Sequence, residues 1–135
     1  MTSEVIYTGN LRTTNKHIKS GNSIITDAPM DNHGKGENFS PTDLVATALA
    51  NCMLTVMGIK ANQKGLDVDG AKAEVTKVMA SNPRRISVID IKLIMPAKKF
   101  TDEEKKLLEQ TAINCPVAKS LSEDLTQTLE MVWQD

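Results

Sequence analysis

The sequence predicts an α+β fold, and three observations carry that reading. Segments that alternate polar and apolar residues open the chain and return in its second half, the period-2 pattern of half-buried strands. Between them, Leu44 to Ile59 holds no charged residue and carries Thr47, Asn51 and Thr55 four apart, a narrow polar stripe on an otherwise apolar helix. Strands come in runs separated by helices, rather than in the strict strand–helix–strand alternation of a doubly wound parallel sheet.

Taken in order, Glu4 to Thr14 and Ser23 to Asp27 read as short strands, with Ser20-Gly21-Asn22 as the turn before the last of them. Pro29 to Asn38 lacks periodicity and is rich in turn formers, so it is expected to be an exposed loop of a length that tends to be functional or mobile. Ser40-Pro41-Thr42-Asp43 reads as a helix start, with Ser40 at the N-cap, Pro41 in the first turn and Asp43 completing a capping box. The helix is expected to reach about Gln63, where Lys64 supplies a C-terminal cation and Gly65 a C-cap. It is apolar on most sides and needs cover on most sides. A chain of 135 residues with 3% aromatics has difficulty supplying that alone, so a second subunit is expected.

Ala71 to Met79 alternates Lys72, Glu74 and Thr76 against Ala73 and Val75. After an Asn82-Pro83-Arg84 turn, Ile89, Ile91, Leu93 and Met95 alternate with Asp90, Lys92 and Ile94, and the two strands should form an antiparallel hairpin. Thr101-Asp102-Glu103-Glu104 is a second capping box, opening a helix with Leu107, Leu108 and Ile113 inward. A short helix follows Cys115-Pro116, and Leu125 to Trp133 closes the chain as a strand. No repeat, low-complexity tract or linker divides it, so residues 1–135 read as a single domain.

Composition narrows the function classes. With 16 Lys+Arg against 17 Asp+Glu the net charge is −1, and no basic footprint for nucleic acid exists. The uncharged helical stretch falls short of the roughly 20 residues that span a bilayer, so no membrane is expected. Met1-Thr2-Ser3-Glu4 lacks the basic start and apolar run of a signal peptide, which points to the cytoplasm. There Cys52 and Cys115 should rest as thiols. Two cysteines, with His17 and His33 at no ligand spacing, give no expectation of a metal site.

The chemistry-bearing residues are the two cysteines. Cys52 lies mid-helix among Ala48, Leu49, Thr55 and Val56, and reads either as a small core hydrophobe or as a nucleophile whose stabilising cation comes from elsewhere in the fold. Cys115 directly precedes a helix-opening proline and can occupy the N-cap, where free amides and the helix dipole favour a thiolate. The bland alternative is a capping cysteine of no consequence. A nucleophilic cysteine and a resolving one are the minimum equipment for thiol peroxidase chemistry, although spacing alone does not bring these two together.

Ser40-Pro41-Thr42-Asp43-Leu44-Val45-Ala46-Thr47-Ala48-Leu49-Ala50-Asn51-Cys52, followed at long range by Cys115-Pro116, resembles the OsmC/Ohr family of osmotically inducible and organic hydroperoxide resistance proteins. The resemblance covers nearly the whole chain. It implies an OsmC-like fold, antiparallel sheets around a long central helix in an intertwined homodimer with active sites at the subunit interface. It further implies reduction of organic hydroperoxides, with Cys52 reacting with peroxide, Cys115 resolving, and an arginine from the N-terminal strands, here Arg12, holding the thiolate. The partners implied are an organic hydroperoxide and an external thiol or dithiol reductant, with no cofactor. In the hydroperoxide-active branch a Glu commonly follows the helix-opening proline and positions that arginine; here Thr42 stands there, leaving Asp43 and Glu37 as possible supporting carboxylates. His17 and His33 are further residues that could face the pocket, or ordinary exposed histidines. The missing Glu motivates an alternative function, a non-catalytic small-molecule binding or redox-sensing module on the same fold.

Overall fold

The first strands form because β-branched and polar residues alternate and two tight reversals return the chain on itself. In the computed structural model, which describes residues 1–134, β1 (Ser3–Gly9), β2 (Arg12–His17) and β3 (Ser23–Asp27) make an antiparallel sheet in that order. Asn10 and Leu11 join β1 to β2 with φ of 56° and 61°, the left-handed pair a two-residue hairpin loop requires. The second reversal is held by hydrogen bonds from His17 N–H to the Asn22 carbonyl and from Gly21 N–H to the His17 carbonyl, both 2.8 Å. The register places Lys16 opposite Ser23 and therefore Arg12 opposite Asp27.

The expected loop after β3 is present but folded back on itself. Met30–Asn32 forms one turn of 3-10 helix, Gly34 N–H donates to the Pro29 carbonyl, and Gly36 N–H donates to that of Ala28. A Cβ at Gly34 would lie 1.7 Å from the Ala28 carbonyl oxygen, so only glycine fits there. Asp27 N–H donates to the Phe39 carbonyl at 3.1 Å and closes the base of the loop.

Helix α1 (Pro41–Lys64) starts at the predicted capping box: Asp43 N–H donates to Ser40 Oγ at 3.1 Å, and Ser40 N–H donates to Asp43 Oδ2 at 2.9 Å. It ends as expected, with Gly65 at φ 68° and Leu66 N–H reaching back to the Ala61 carbonyl. By length and composition alone α1 is long and apolar enough to cross a membrane, with an 18-residue window of mean hydropathy 1.6. The core helix of a soluble protein passes the same test, and Ala46, Leu49, Ala50, Met53, Met57 and Ala61 are buried in protein.

The chain forms two compact units, with the boundary between Val45 and Ala46. In the second, β4 (Lys72–Ala80) and β5 (Arg85–Ile94) make the expected antiparallel hairpin. The last strand, β6 (Thr126–Val132), pairs with the other side of β5 in parallel, so this sheet is mixed where antiparallel sheets were expected. The connection explains it: α2 (Asp102–Ile113) and α3 (Pro116–Ser120) provide the long crossover that a parallel pair requires and a hairpin does not. The second capping box is present at Thr101 and Glu104. Ile113, expected inward, is 43% exposed; the buried stripe of α2 is Leu108 and Ala112, one turn apart, and Ile113 lies off that stripe.

The core joins Leu49, Met53 and Met57 of α1 to Ile89, Ile91 and Leu93 of β5, with Met95, Phe100, Leu108, Ala112 and Cys115. Each of the Leu, Ile, Met and Phe side chains among them contributes about 1.5–3 kcal/mol of burial. Trp133 packs edge-on against Phe100 at 5.6 Å, so two of the few aromatic rings close one end of the core.

Candidate active site

Cys115 is where the sequence places it, at the N-cap of α3, with its Sγ accepting from Ala118 N–H at 3.4 Å. The thiolate expected there does not follow. Cys115 is 1% exposed, and burial pushes its thiol above the ordinary value; the amide contributions of Ala118 and Val117 act the other way. Cys52 raises it further, through a side-chain hydrogen bond and through its charge. Two cysteines with 62 residues between them in sequence are therefore neighbours: the α1 cysteine partly exposed, the α3 cysteine buried, both unbridged.

Beside this pair, α1 and α2 enclose an open groove of about 440 Å³ lined by Val56, Lys60, Leu107, Gln110, Thr111 and Asn114. Val56 lies one helical turn beyond Cys52, and Asn114 directly precedes Cys115. Thr111 Oγ1 and Asn114 Nδ2 donate to carbonyls of their own helix, which spends their polar atoms locally.

Within the first unit, Arg12 anchors a polar cluster. Its Nε donates to Asp27 Oδ1 at 2.5 Å and its Nη2 to Asp27 Oδ2 at 3.3 Å, a two-point clasp. Glu37 Oε1 accepts from the same Nη2 at 2.9 Å. Asp27 is 2% exposed, and its Oδ2 also accepts from Glu37 N–H at 3.0 Å and Asn38 Nδ2 at 3.3 Å. The Arg12 hydrogen bond holds the Asp27 carboxyl below the usual carboxylate range, against burial, which pushes it up; reciprocally, that bond raises the Arg12 guanidinium.

Of the supporting residues named from sequence, Glu37 meets Arg12, while Asp43 is engaged at the α1 cap. Thr42 Oγ1 lies 3.3 Å from Ser40 Oγ. His17 ends β2, about 16 Å along the strand from Arg12, with its Nδ1 2.7 Å from Ser20 Oγ. His33 takes a left-handed conformation after the 3-10 turn. Asp27 was missed, and the turn as read could not have found it: counting outward from Ser20-Gly21-Asn22 sets Asp27 opposite Asn15, whereas the reversal is centred between Lys19 and Ser20 and sets it opposite Arg12. Among the described residues, no group of three or more His, Cys, Asp or Glu side chains is arranged to hold a metal ion.

A long helix carrying one thiol, a capping thiol beside it and two three-stranded sheets define an α+β protein with a two-cysteine centre. Residues 34–130 match the family model of OsmC-like proteins, and the chain belongs to that family. A crystal structure from Psychrobacter arcticus, described there as a proposed osmotic stress induced and detoxification response protein, is 52% identical and covers 97% of this chain and 95% of its own, with a TM-score of 0.93. The organic hydroperoxide resistance protein OsmC from Legionella pneumophila shares the fold at 14% identity (98% and 97% covered, TM-score 0.77). So does the organic hydroperoxide resistance protein OhrB of Bacillus subtilis at 17% (97% and 98% covered, TM-score 0.71). No curated protein sequence is significantly similar to the chain.

Proposed function

We propose that this chain is a cysteine-based peroxidase that reduces organic hydroperoxides with Cys52 and Cys115. The observation that carries the reading is the interaction of the two thiols, one partly exposed and one buried, in an OsmC-like protein. The Cys52 thiolate attacks the outer oxygen of the hydroperoxide, the O–O bond breaks, and the leaving alkoxide takes a proton to become an alcohol. Cys52 is then a sulfenic acid. Cys115 attacks its sulfur, water leaves, and a disulfide forms, which an external thiol or dithiol reduces with two electrons.

The environment of Cys115 suits the resolving role. Burial keeps it protonated at rest, so it does not compete for peroxide. Oxidation of Cys52 removes the charge that helps keep Cys115 protonated, so its nucleophilicity rises when the sulfenic acid is in place. The groove along Val56 and Leu107 offers an apolar side to an alkyl chain. Arg12 is the cation of this reading, and a cytoplasmic homodimer is its assembly. The apolar residues left exposed on the first sheet, Val5, Ile6, Tyr7, Ile24 and Ile25, support a second subunit.

Turnover of cumene hydroperoxide with dithiothreitol tests the proposal in wild type, Cys52→Ser and Cys115→Ser. Wild type is expected to turn over, Cys52→Ser to be inactive, and Cys115→Ser to accumulate sulfenic acid and recycle poorly. Consumption no faster than dithiothreitol alone in all three overturns it and leaves the binding or redox-sensing module.

A further inference from the structure

We propose that Gln127 is the positioning residue of the Cys115 thiol: from β6 it holds the Ala118 carbonyl and so fixes α3, with Cys115 at its start, beside Cys52. Gln127 thereby serves the second step of the peroxidase reading, on which this role rests. Along β6 and its flanks, Leu125, Leu129, Met131 and Trp133 pack against the core. By the period of two Gln127 belongs to the same face, and its register partner on β5 is the fully buried Ile89. An amide in an apolar row costs stability unless its polar atoms find partners. Here Nε2 donates to the Ala118 carbonyl at 3.0 Å.

That carbonyl belongs to the residue whose N–H meets the sulfur. Ala118 N–H donates to Cys115 Sγ at 3.4 Å, so one residue of α3 is tied to the sheet and also caps the thiol. α3 needs such an anchor, because five residues make too short a helix to stand alone. Lys119 N–H donates to the Cys115 carbonyl and Ser120 Oγ to the Pro116 carbonyl, and neither bond ties α3 to the rest of the unit. Gln127 itself is a fixed point, standing in an unbroken parallel ladder with β5.

Placement matters most in the step that joins the sulfurs. Cys115 attacks the sulfur of the Cys52 sulfenic acid; the S–S bond forms as the S–O bond breaks, and the departing hydroxide takes the thiol proton and leaves as water. A misplacement of about 1 Å can cost on the order of a hundredfold in such a step. The attack of Cys52 on peroxide, from α1, does not use α3. The bland alternative is an amide that merely fills its place in the sheet, and it predicts no difference between the two steps.

The experiment follows both steps after mixing with cumene hydroperoxide: Cys52 sulfenic acid trapped by dimedone, and the Cys52–Cys115 disulfide, each read on peptides by mass spectrometry. Gln127→Met keeps the volume and completes the apolar row, and Gln127→Glu keeps the shape and loses the donor. Gln134→Met removes a comparable side-chain tie, to the Met95 carbonyl, that does not reach α3. Both Gln127 variants are expected to oxidise Cys52 at the wild-type rate and to form the disulfide about tenfold more slowly. Gln134→Met should match wild type in both steps. A wild-type disulfide rate in either Gln127 variant, equal slowing of both steps, or the same slowing in Gln134→Met overturns the proposal. Either Gln127 variant decides alone should the other fail to fold by circular dichroism.

Diamide at saturation drives the joining step without peroxide. Cys52 adds to its N=N bond, and Cys115 displaces the adduct to give the same disulfide, the diamide leaving as its hydrazine with two electrons and two protons. Slow disulfide formation in the Gln127 variants with diamide, where no protein consumes hydroperoxide, removes the peroxidase reading and keeps this one. Hydroperoxide turnover with an indifferent diamide rate does the reverse.

Discussion

The two three-stranded sheets use similar apolar residues and leave them in opposite states. In the second unit, Ile89, Ile91 and Leu93 of the central strand are at most 2% exposed, because the α1 stripe of Leu49, Met53 and Met57 packs with them in one core. In the first unit, Ile6 and Ile25 on one face and Val5, Tyr7 and Ile24 on the other remain about half exposed or more. β-branched and aromatic residues thus make a strand, but a helix laid over them makes a core. The first unit relies instead on strand pairing, a folded-back loop and the Arg12–Asp27–Glu37 clasp.

That contrast can be broken by experiment. Leu93→Ala should cost about 2–5 kcal/mol in urea unfolding, since it empties a fully buried site. The matching change in the first unit, Ile25→Ala, should cost under about 0.5 kcal/mol while its surface stays wet. Equal costs would remove the distinction, and a cost for Ile25→Ala that appears only at high protein concentration would mark a face covered by a second subunit. Gly34→Ala should come next, at about 1–3 kcal/mol, because the added methyl collides with backbone rather than with a movable side chain. Limited proteolysis within residues 28–38 would show whether the loss is local.

The smallest expected effect is on acid stability. The Asp27 carboxyl lies below its ordinary value of 3.8, so the folded state binds fewer protons there than the unfolded state does. Its contribution is present above pH 3.8 and is lost as the pH falls through the lowered value. The stability difference between wild type and Asp27→Asn should be flat near neutrality and shrink in acid. A difference that persists unchanged at the lowest pH would mean the carboxylate charge is not what holds the clasp.

Features written in neighbouring residues were legible in the sequence. Both capping boxes, the Gly65 helix end and the β5 alternation need only a few adjacent positions, and all stand as read. Features that depend on distant segments were not. The parallel pairing of β6 follows from how the α2–α3 crossover returns the chain, and the upward shift of the Cys115 thiol follows from its burial, which outweighs its local amides. Asp27 fell between these cases, since its partner is fixed by register, and the turn was read more than one residue away from where the strands reverse. The family resemblance supplied Cys52 and Cys115 as a pair, which spacing alone did not.

The parallel strand also has a temporal consequence. β4 and β5 can zip from a local turn, but Asp90 meets Thr128 only after the intervening helices have formed and the chain has returned across them. Cys115 rides on that returning segment, at the junction of α2 and α3. Cys115 is therefore carried to Cys52 by the same crossover that returns β6 to β5, so one connection sets both the parallel pairing and the meeting of the two thiols.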